Sequence, residues 1–173
     1  AGLTAIKMNA TGALGHLASK AEVDESVARA TAAREAMGDD RDIAIDFHGR
    51  VSLPTARRLI DALTPLAPMF IEEAVVPENS HLFADLVAHT SIPLATGERL
   101  YDRQEFLPVL QAGITVVQPD LSHAGGITET RKIASLAETF GAALAPHCPL
   151  GPIALAACLQ VGFATSNHVI QEQ

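Results

Sequence analysis

Short apolar runs alternate along this chain with longer stretches in which apolar positions recur three or four residues apart. The runs lie at residues 3–8, 43–47, 69–72, 93–95, 115–118, 142–145 and 168–171. They are apolar nearly throughout rather than in alternation, which predicts strands buried on both faces, as in a parallel sheet covered by helices. Between them the spacing predicts helices at 22–37, from Pro54 onward, and at 81–88, 103–111, 128–140 and 153–161. The first carries Val23, Val27, Ala30 and Arg34 three or four apart and is stopped by Gly38-Asp39-Asp40. In the second, Leu59, Ile60 and Leu63 form the apolar face. The stretch 152–164 is too short and too interrupted by Gln160 to span a bilayer, and reads as a buried helix.

About seven strands and six helices in strict βα order leave two parallel architectures. A doubly wound sheet carries a Gly-rich phosphate loop after its first strand, whereas the turn here is Asn9-Ala10-Thr11-Gly12. Polar, chemically capable residues end nearly every strand, which is the pattern of a TIM-type (β/α) barrel. A full barrel takes about 250 residues. The 173 residues are therefore expected to form one partial catalytic barrel domain, 1–173, lacking at least the first strand and any capping domain. The start at Ala1 directly before a strand agrees with a chain that begins inside a fold.

Composition narrows the function. The chain is 48% hydrophobic with a net charge of −8, and no basic stripe exists to neutralise phosphates, which argues against a nucleic-acid partner. No basic segment followed by an apolar one opens the chain, and no membrane role is expected. Cys148 and Cys158 form neither a CxxC pair nor a Cys/His finger, so a reducing, cytoplasmic setting is the simplest expectation.

Asp46, Glu72 and Glu98 stand 26 residues apart in succession, each ending an apolar run. Acids at the ends of successive barrel strands converge on one point. Three oxygen donors with no Cys among them suit a hard cation that keeps room for water or substrate oxygens, which favours Mg²⁺. Asp46-Phe47-His48 is expected to put an imidazole beside the first acid, because residues two apart on a strand project to the same side. Gln118-Pro119-Asp120 and Ala145-Pro146-His147 end neighbouring strands, so that Asp120 and His147 could pair, fixing the tautomer of the ring and raising its basicity. Glu172 adds a further acid at the end of the last run. A cation flanked by two imidazoles suits abstraction of a proton next to a carboxylate followed by loss of a β-hydroxyl, with the cation neutralising the enediolate.

The segments Ile71-Glu72-Glu73, Gly97-Glu98-Arg99 and Gln118-Pro119-Asp120 resemble the enolase superfamily, mandelate racemase branch, over essentially the whole chain. Asp46-Phe47-His48-Gly49-Arg50, the block 120–129 and the block 145–154 are similar to the acid-sugar dehydratases of that branch. The resemblance implies an Mg²⁺-dependent hydro-lyase that converts a hexonate such as D-galactonate to its 2-keto-3-deoxy acid. By it, Asp46, Glu72 and Glu98 ligate the metal, and His147 paired with Asp120 abstracts the C2 proton. His48 protonates the departing 3-hydroxyl and Glu172 helps hold the enediolate. Lys7, Asn9, Arg50, Arg99 and His123 are the substrate-binding candidates, and the intact enzyme is expected to be a homo-oligomer. Arg50 and Arg99 equally suit bracing of the acids, and His123 equally suits capping of the helix after Gly125-Gly126. Two departures stand out. Ala74 occupies the position where the branch usually has Pro, and 7–9 lacks the second Lys of the Lys-x-Lys pattern used as base by racemases and cycloisomerases, which favours the His-based dehydratases.

The alternatives are dehydration of a gluconate or mannonate and a non-catalytic fragment without its capping domain, whereas a zinc hydrolase using Asp46 and His48 is disfavoured by the two glutamates and the Asp120/His147 pairing. Ser122 lacks a GxSxG elbow, which disfavours a serine hydrolase. Glu73 reads as a supporting acid. Cys148 reads as a small buried hydrophobe, and His16, His81, His89 and His168 as surface or packing residues.

Overall fold

The computed structural model describes residues 2–173, which fall into two compact units, the first ending at Leu94 and the second spanning Ala95–Gln173. The first holds β1 (Ala5–Met8), α1 (Lys20–Met37), β2 (Asp42–Asp46), α2 (Leu53–Leu63), β3 (Ile71–Glu72) and α3 (Phe83–Val87). β1 pairs with β2 and β2 with β3, both in parallel, with Lys7 opposite Ala44 and Asp46 opposite Glu72. The second unit holds the end of β4 (Leu94–Thr96), then α4 (Arg103–Gln111), β5 (Val116–Val117), α5 (Gly126–Thr139), β6 (Ala143–Leu144) and α6 (Pro152–Phe163). Here β4 pairs with β5 and β5 with β6, again in parallel.

The central strands are covered on both faces, as their unbroken apolar runs require: Ile43, Ala44 and Ile45 are buried in β2, Val116 and Val117 in β5. α2 packs against α1 and buries Ala56, Leu59, Ile60 and Leu63 completely, and each such Leu or Ile contributes about 1.5–3 kcal/mol by leaving water. The helix ends are written locally. Ser19 and Glu22 form a reciprocal capping box at α1, Pro54 sits in the first turn of α2, and Asp102 accepts from the backbone N–H groups of Gln104 and Glu105 at α4.

Three elements differ from expectation. The segment 81–88 opens as a 3₁₀ turn (Pro77–Leu82), and only Phe83–Val87 is α-helical. The run 168–171 pairs with β6 through a single parallel bridge, Leu144 to His168, flanked by Leu144 N–H to Asn167 O and Val169 N–H to Leu144 O. It is not a seventh strand. The apolar stretch at 152–164 is a helix but not a buried one. Of α6 only Cys158, Val161 and Gly162 are buried, whereas Ile153 and Phe163 are 88% and 85% exposed. A helix presents one stripe to its neighbours whatever its composition, and uniform hydrophobicity does not say which stripe.

Candidate active site

In the first unit, Asp46 and Glu72 end adjacent strands in register and are both buried. Carboxylates withdrawn from water need compensating cations or donors. Lys7, from β1 on the far side of β2, supplies one: its Nζ donates to Glu72 Oε1 at 2.7 Å. A residue expected to face substrate is thus also the counter-charge of a candidate metal ligand.

His48 does lie beside Asp46, but not through the pleat of a strand. β2 ends at Asp46, and the chain turns so that His48 takes a left-handed φ of 52°, a conformation that costs a non-glycine residue about 1–3 kcal/mol. The turn is held by His48 N–H donating to Asp46 Oδ1 at 2.7 Å and Gly49 N–H donating to Glu73 O at 2.7 Å. It returns the ring onto the acid, with Nε2 at 3.0 Å from Asp46 Oδ2. On the other edge of the ring, His48 Nδ1 meets the Asn9 amide nitrogen at 2.8 Å. Arg50 is exposed in the loop that follows.

In the second unit, Glu98 follows β4 after Gly97, whose φ of 143° and surroundings leave no room for a side chain. A Cβ there would lie 2.7 Å from the Phe106 ring and 2.9 Å from Gln118 N. The Arg99 guanidinium lies 3.3 Å from Glu98 Oε1, which fits the bracing role. Asp120 and His147 pair as the sequence led us to expect. The two residues form a parallel bridge, and His147 Nδ1 lies 2.8 Å from Asp120 Oδ2. The other ring nitrogen, Nε2, is 3.2 Å from Glu98 Oε2. Glu172 joins from the end of the chain by accepting the Cys148 N–H through Oε2 at 3.0 Å. His123 sits in the turn before α5, its Nδ1 3.1 Å from Glu98 O and its ring beside that of Tyr101.

This carboxylate cage sets the charge of His147. Burial works against the imidazolium, but hydrogen bonds to Glu98 and Asp120, with the charges of Glu172 and Glu98, outweigh it and raise the pKa from 6.5 to about 9. A value raised by folding means that protonated His147 stabilises the fold. That contribution is complete below pH 6.5 and is lost as pH rises through about 9. Protein stripped of divalent ions is therefore expected to lose resistance to urea across that window, and His147→Gln to flatten the loss. Equal stability at both ends in the unsubstituted protein would contradict the cage.

Several residues have quieter roles. Cys148 and Cys158 are free and buried, and burial together with the neighbouring Cys148 pushes the Cys158 thiol up to about 12, as inert packing groups require. His168 packs on Gly162, where a Cβ would lie 2.9 Å from its Nε2, and burial lowers its pKa. His89 pairs with Asp61 at 2.8 Å. The residue that sequence reasoning passed over is Thr11, whose N–H and Oγ1 both donate to Asn9 Oδ1, at 2.9 and 2.8 Å. A buried Thr in a turn carries no chemical signature, and only its spacing of two from Asn9 offered a hint.

The model of the enolase C-terminal domain-like family matches residues 1–173. Curated relatives named D-galactonate dehydratase, from Variovorax paradoxus and Ralstonia pickettii, are 52% and 51% identical over 173 residues. These matches cover 99% of this chain and 45% of each relative, so the chain spans about half the length of the curated relatives it matches. Among solved structures, a mandelate racemase/muconate lactonizing enzyme from Jannaschia sp. CCS1 matches with a TM-score of 0.95 and 39% identity, over 99% of this chain and 46% of that one. One from Sulfitobacter sp. matches with a TM-score of 0.95 and 37% identity, over 99% and 45%. The fold class is accordingly α/β, a TIM-type barrel of the enolase C-terminal kind represented in part. With parallel βα units, acids at strand ends and a full-length family match, this chain belongs to the enolase C-terminal domain-like family.

Proposed function

We propose that this chain is the larger part of the catalytic barrel of a sugar-acid dehydratase, and that its substrate is D-galactonate. The observation that carries the reading is the Asp120–His147 pair at 2.8 Å with Glu98 on the opposite ring nitrogen, in a chain 52% identical to a D-galactonate dehydratase. We take Asp46, Glu72 and Glu98 to ligate one Mg²⁺. The donor set supports this. It is all oxygen and it ends successive strands, and two of its members are buried acids that need positive charge close by. When bound, the cation would neutralise the charge that develops on the substrate carboxylate as the C2 proton leaves.

The chain's own groups supply the proton transfers. Asp120 accepts a hydrogen bond from the Nδ1–H of His147, which orients the ring, and in the neutral ring Nε2 is the atom that accepts the C2 proton. His48 gives a proton from Nε2 to the departing 3-hydroxyl, so that it leaves as water. The enol that remains takes up a proton at C3 and becomes the 2-keto-3-deoxy acid. We assign Arg99 and His123, both beside Glu98, and Lys7 and Asn9, beside Glu72 and His48, to the carboxylate and hydroxyls of the sugar acid.

The test is a panel of hexonates, D-galactonate, D-gluconate and D-mannonate, offered to the full-length protein with 2-keto-3-deoxy acid as the readout. Turnover of D-galactonate that stops with EDTA and returns with Mg²⁺ is expected. Preference for another hexonate would correct the substrate, and turnover unchanged by EDTA would remove the metal.

A further inference from the structure

The hydrogen bonds around Asn9 determine how His48 is aimed. The backbone N–H of Thr11 can only donate, and it lies 2.9 Å from one terminal atom of the Asn9 amide, which must therefore be Oδ1. Thr11 Oγ1, at 2.8 Å, donates to the same atom. Thr11 is 5% exposed, so neither bond competes freely with water. With Oδ1 assigned, the atom facing His48 Nδ1 at 2.8 Å is the amide nitrogen, a donor without a lone pair to offer. Nδ1 must then accept. The proton of the ring lies on Nε2, where Asp46 Oδ2 waits as an acceptor at 3.0 Å.

We propose that Thr11 and Asn9 form a positioning relay that fixes the ring orientation of His48 and assigns its transferable proton to Nε2. The inference rests on the dehydratase reading only for what that proton is used for. Each link removes one freedom. Thr11 prevents rotation of the Asn9 amide, and the amide prevents a ring flip of His48, because the flipped ring would set a C–H against a donor and leave Nε2 away from Asp46. An N–H on Nδ1 would face the Asn9 NH₂, and could be accommodated only by turning the amide and giving up both bonds to Thr11. The relay also explains why a turn with His48 at a φ of 52° is tolerated beside a candidate catalytic group: the strained backbone brings the ring within reach of Asn9 and Asp46 together.

The experiment is ¹⁵N solid-state NMR of the full-length, Mg²⁺-loaded protein labelled at histidine, with His48→Gln to assign the His48 signals. The expected spectrum has Nδ1 in the unprotonated range and Nε2 in the protonated range. Asn9→Asp replaces the donor with an acceptor, and should move Nδ1 into the protonated range. Thr11→Val removes the hydroxyl but keeps the backbone N–H, so it should raise the form protonated at Nδ1 only to a detectable minority, and Thr11→Ser, which keeps the hydroxyl, should restore the original spectrum. In the same samples Asn9→Asp should lower elimination about 10–100-fold, more than it lowers C2 proton exchange. A protonated Nδ1 in the unsubstituted protein, or an Asn9→Asp spectrum identical to it, would overturn the relay. The expected spectra without turnover of any hexonate would uphold the relay and remove the dehydratase reading instead.

Discussion

If the proposed dehydration holds, His147→Ala in the full-length protein is expected to abolish exchange of the galactonate C2 proton with solvent and, with it, dehydration, at a loss of about 10²–10⁴-fold or more in each. The ring is the part of the site most completely specified by its surroundings. Asp120, 1% exposed, holds Nδ1, and Glu98 and Glu172 set its charge. Alanine leaves three carboxylates and no base of suitable basicity, because a carboxylate acting alone lacks the proton affinity that this cage gives the imidazole. Deuterium incorporation at C2 in D₂O, read by NMR of the recovered galactonate, measures the step without requiring elimination. Exchange at close to the unsubstituted rate would take the base assignment away from His147.

The second large effect separates the two halves of the reaction. In His48→Ala the C2 proton should still exchange, while formation of the 2-keto-3-deoxy acid falls by about 10²–10⁴-fold. His48 sits among Asn9, Asp46 and the turn to Glu73, and none of the groups that hold His147 belongs to that set. The ratio of deuterated galactonate to product should rise steeply in this variant. Loss of both steps together would mean that the ring supports Asp46 as a ligand rather than serving the leaving group, and full elimination would show that it serves neither.

Both predictions concern residues legible in the sequence, and the reason is local. Asp46, Glu72, Glu98, Asp120 and His147 each end an apolar run, and the end of a buried parallel strand is where a side chain leaves the core and meets a ligand. The pairing of Asp120 with His147 needed only that consecutive runs lie side by side, as βα order makes the rule. The placement of His48 came out right for a different reason. A strand continuing past Asp46 would have placed both side chains on one face, whereas the chain turns at His48 and uses its own N–H to hold the acid. Sequence spacing carried the distance but not the mechanism.

What stayed hidden depends on partners far apart in the chain or on which face of an element is covered. Lys7 meets Glu72 across 65 residues, and no pattern announces that a candidate substrate contact is also the counter-charge of a buried acid. Thr11 is one more small polar residue in a turn until the orientation of the Asn9 amide gives it a task. α6 is apolar but for Gln160, so hydropathy could assign the helix but not its packing, and Ile153 and Phe163 are exposed in it.

By itself the sequence determined the succession of strands and helices, the ends at which acids and imidazoles emerge, and the family to which these belong, because period, capping and strand-end chemistry are written in neighbouring residues. Only the tertiary structure decided the hydrogen-bond partner of each ring nitrogen, the raised pKa of His147, the turn that carries His48 and the bare face of α6. Those properties are set by distance, burial and direction between residues that the chain brings together only when it folds.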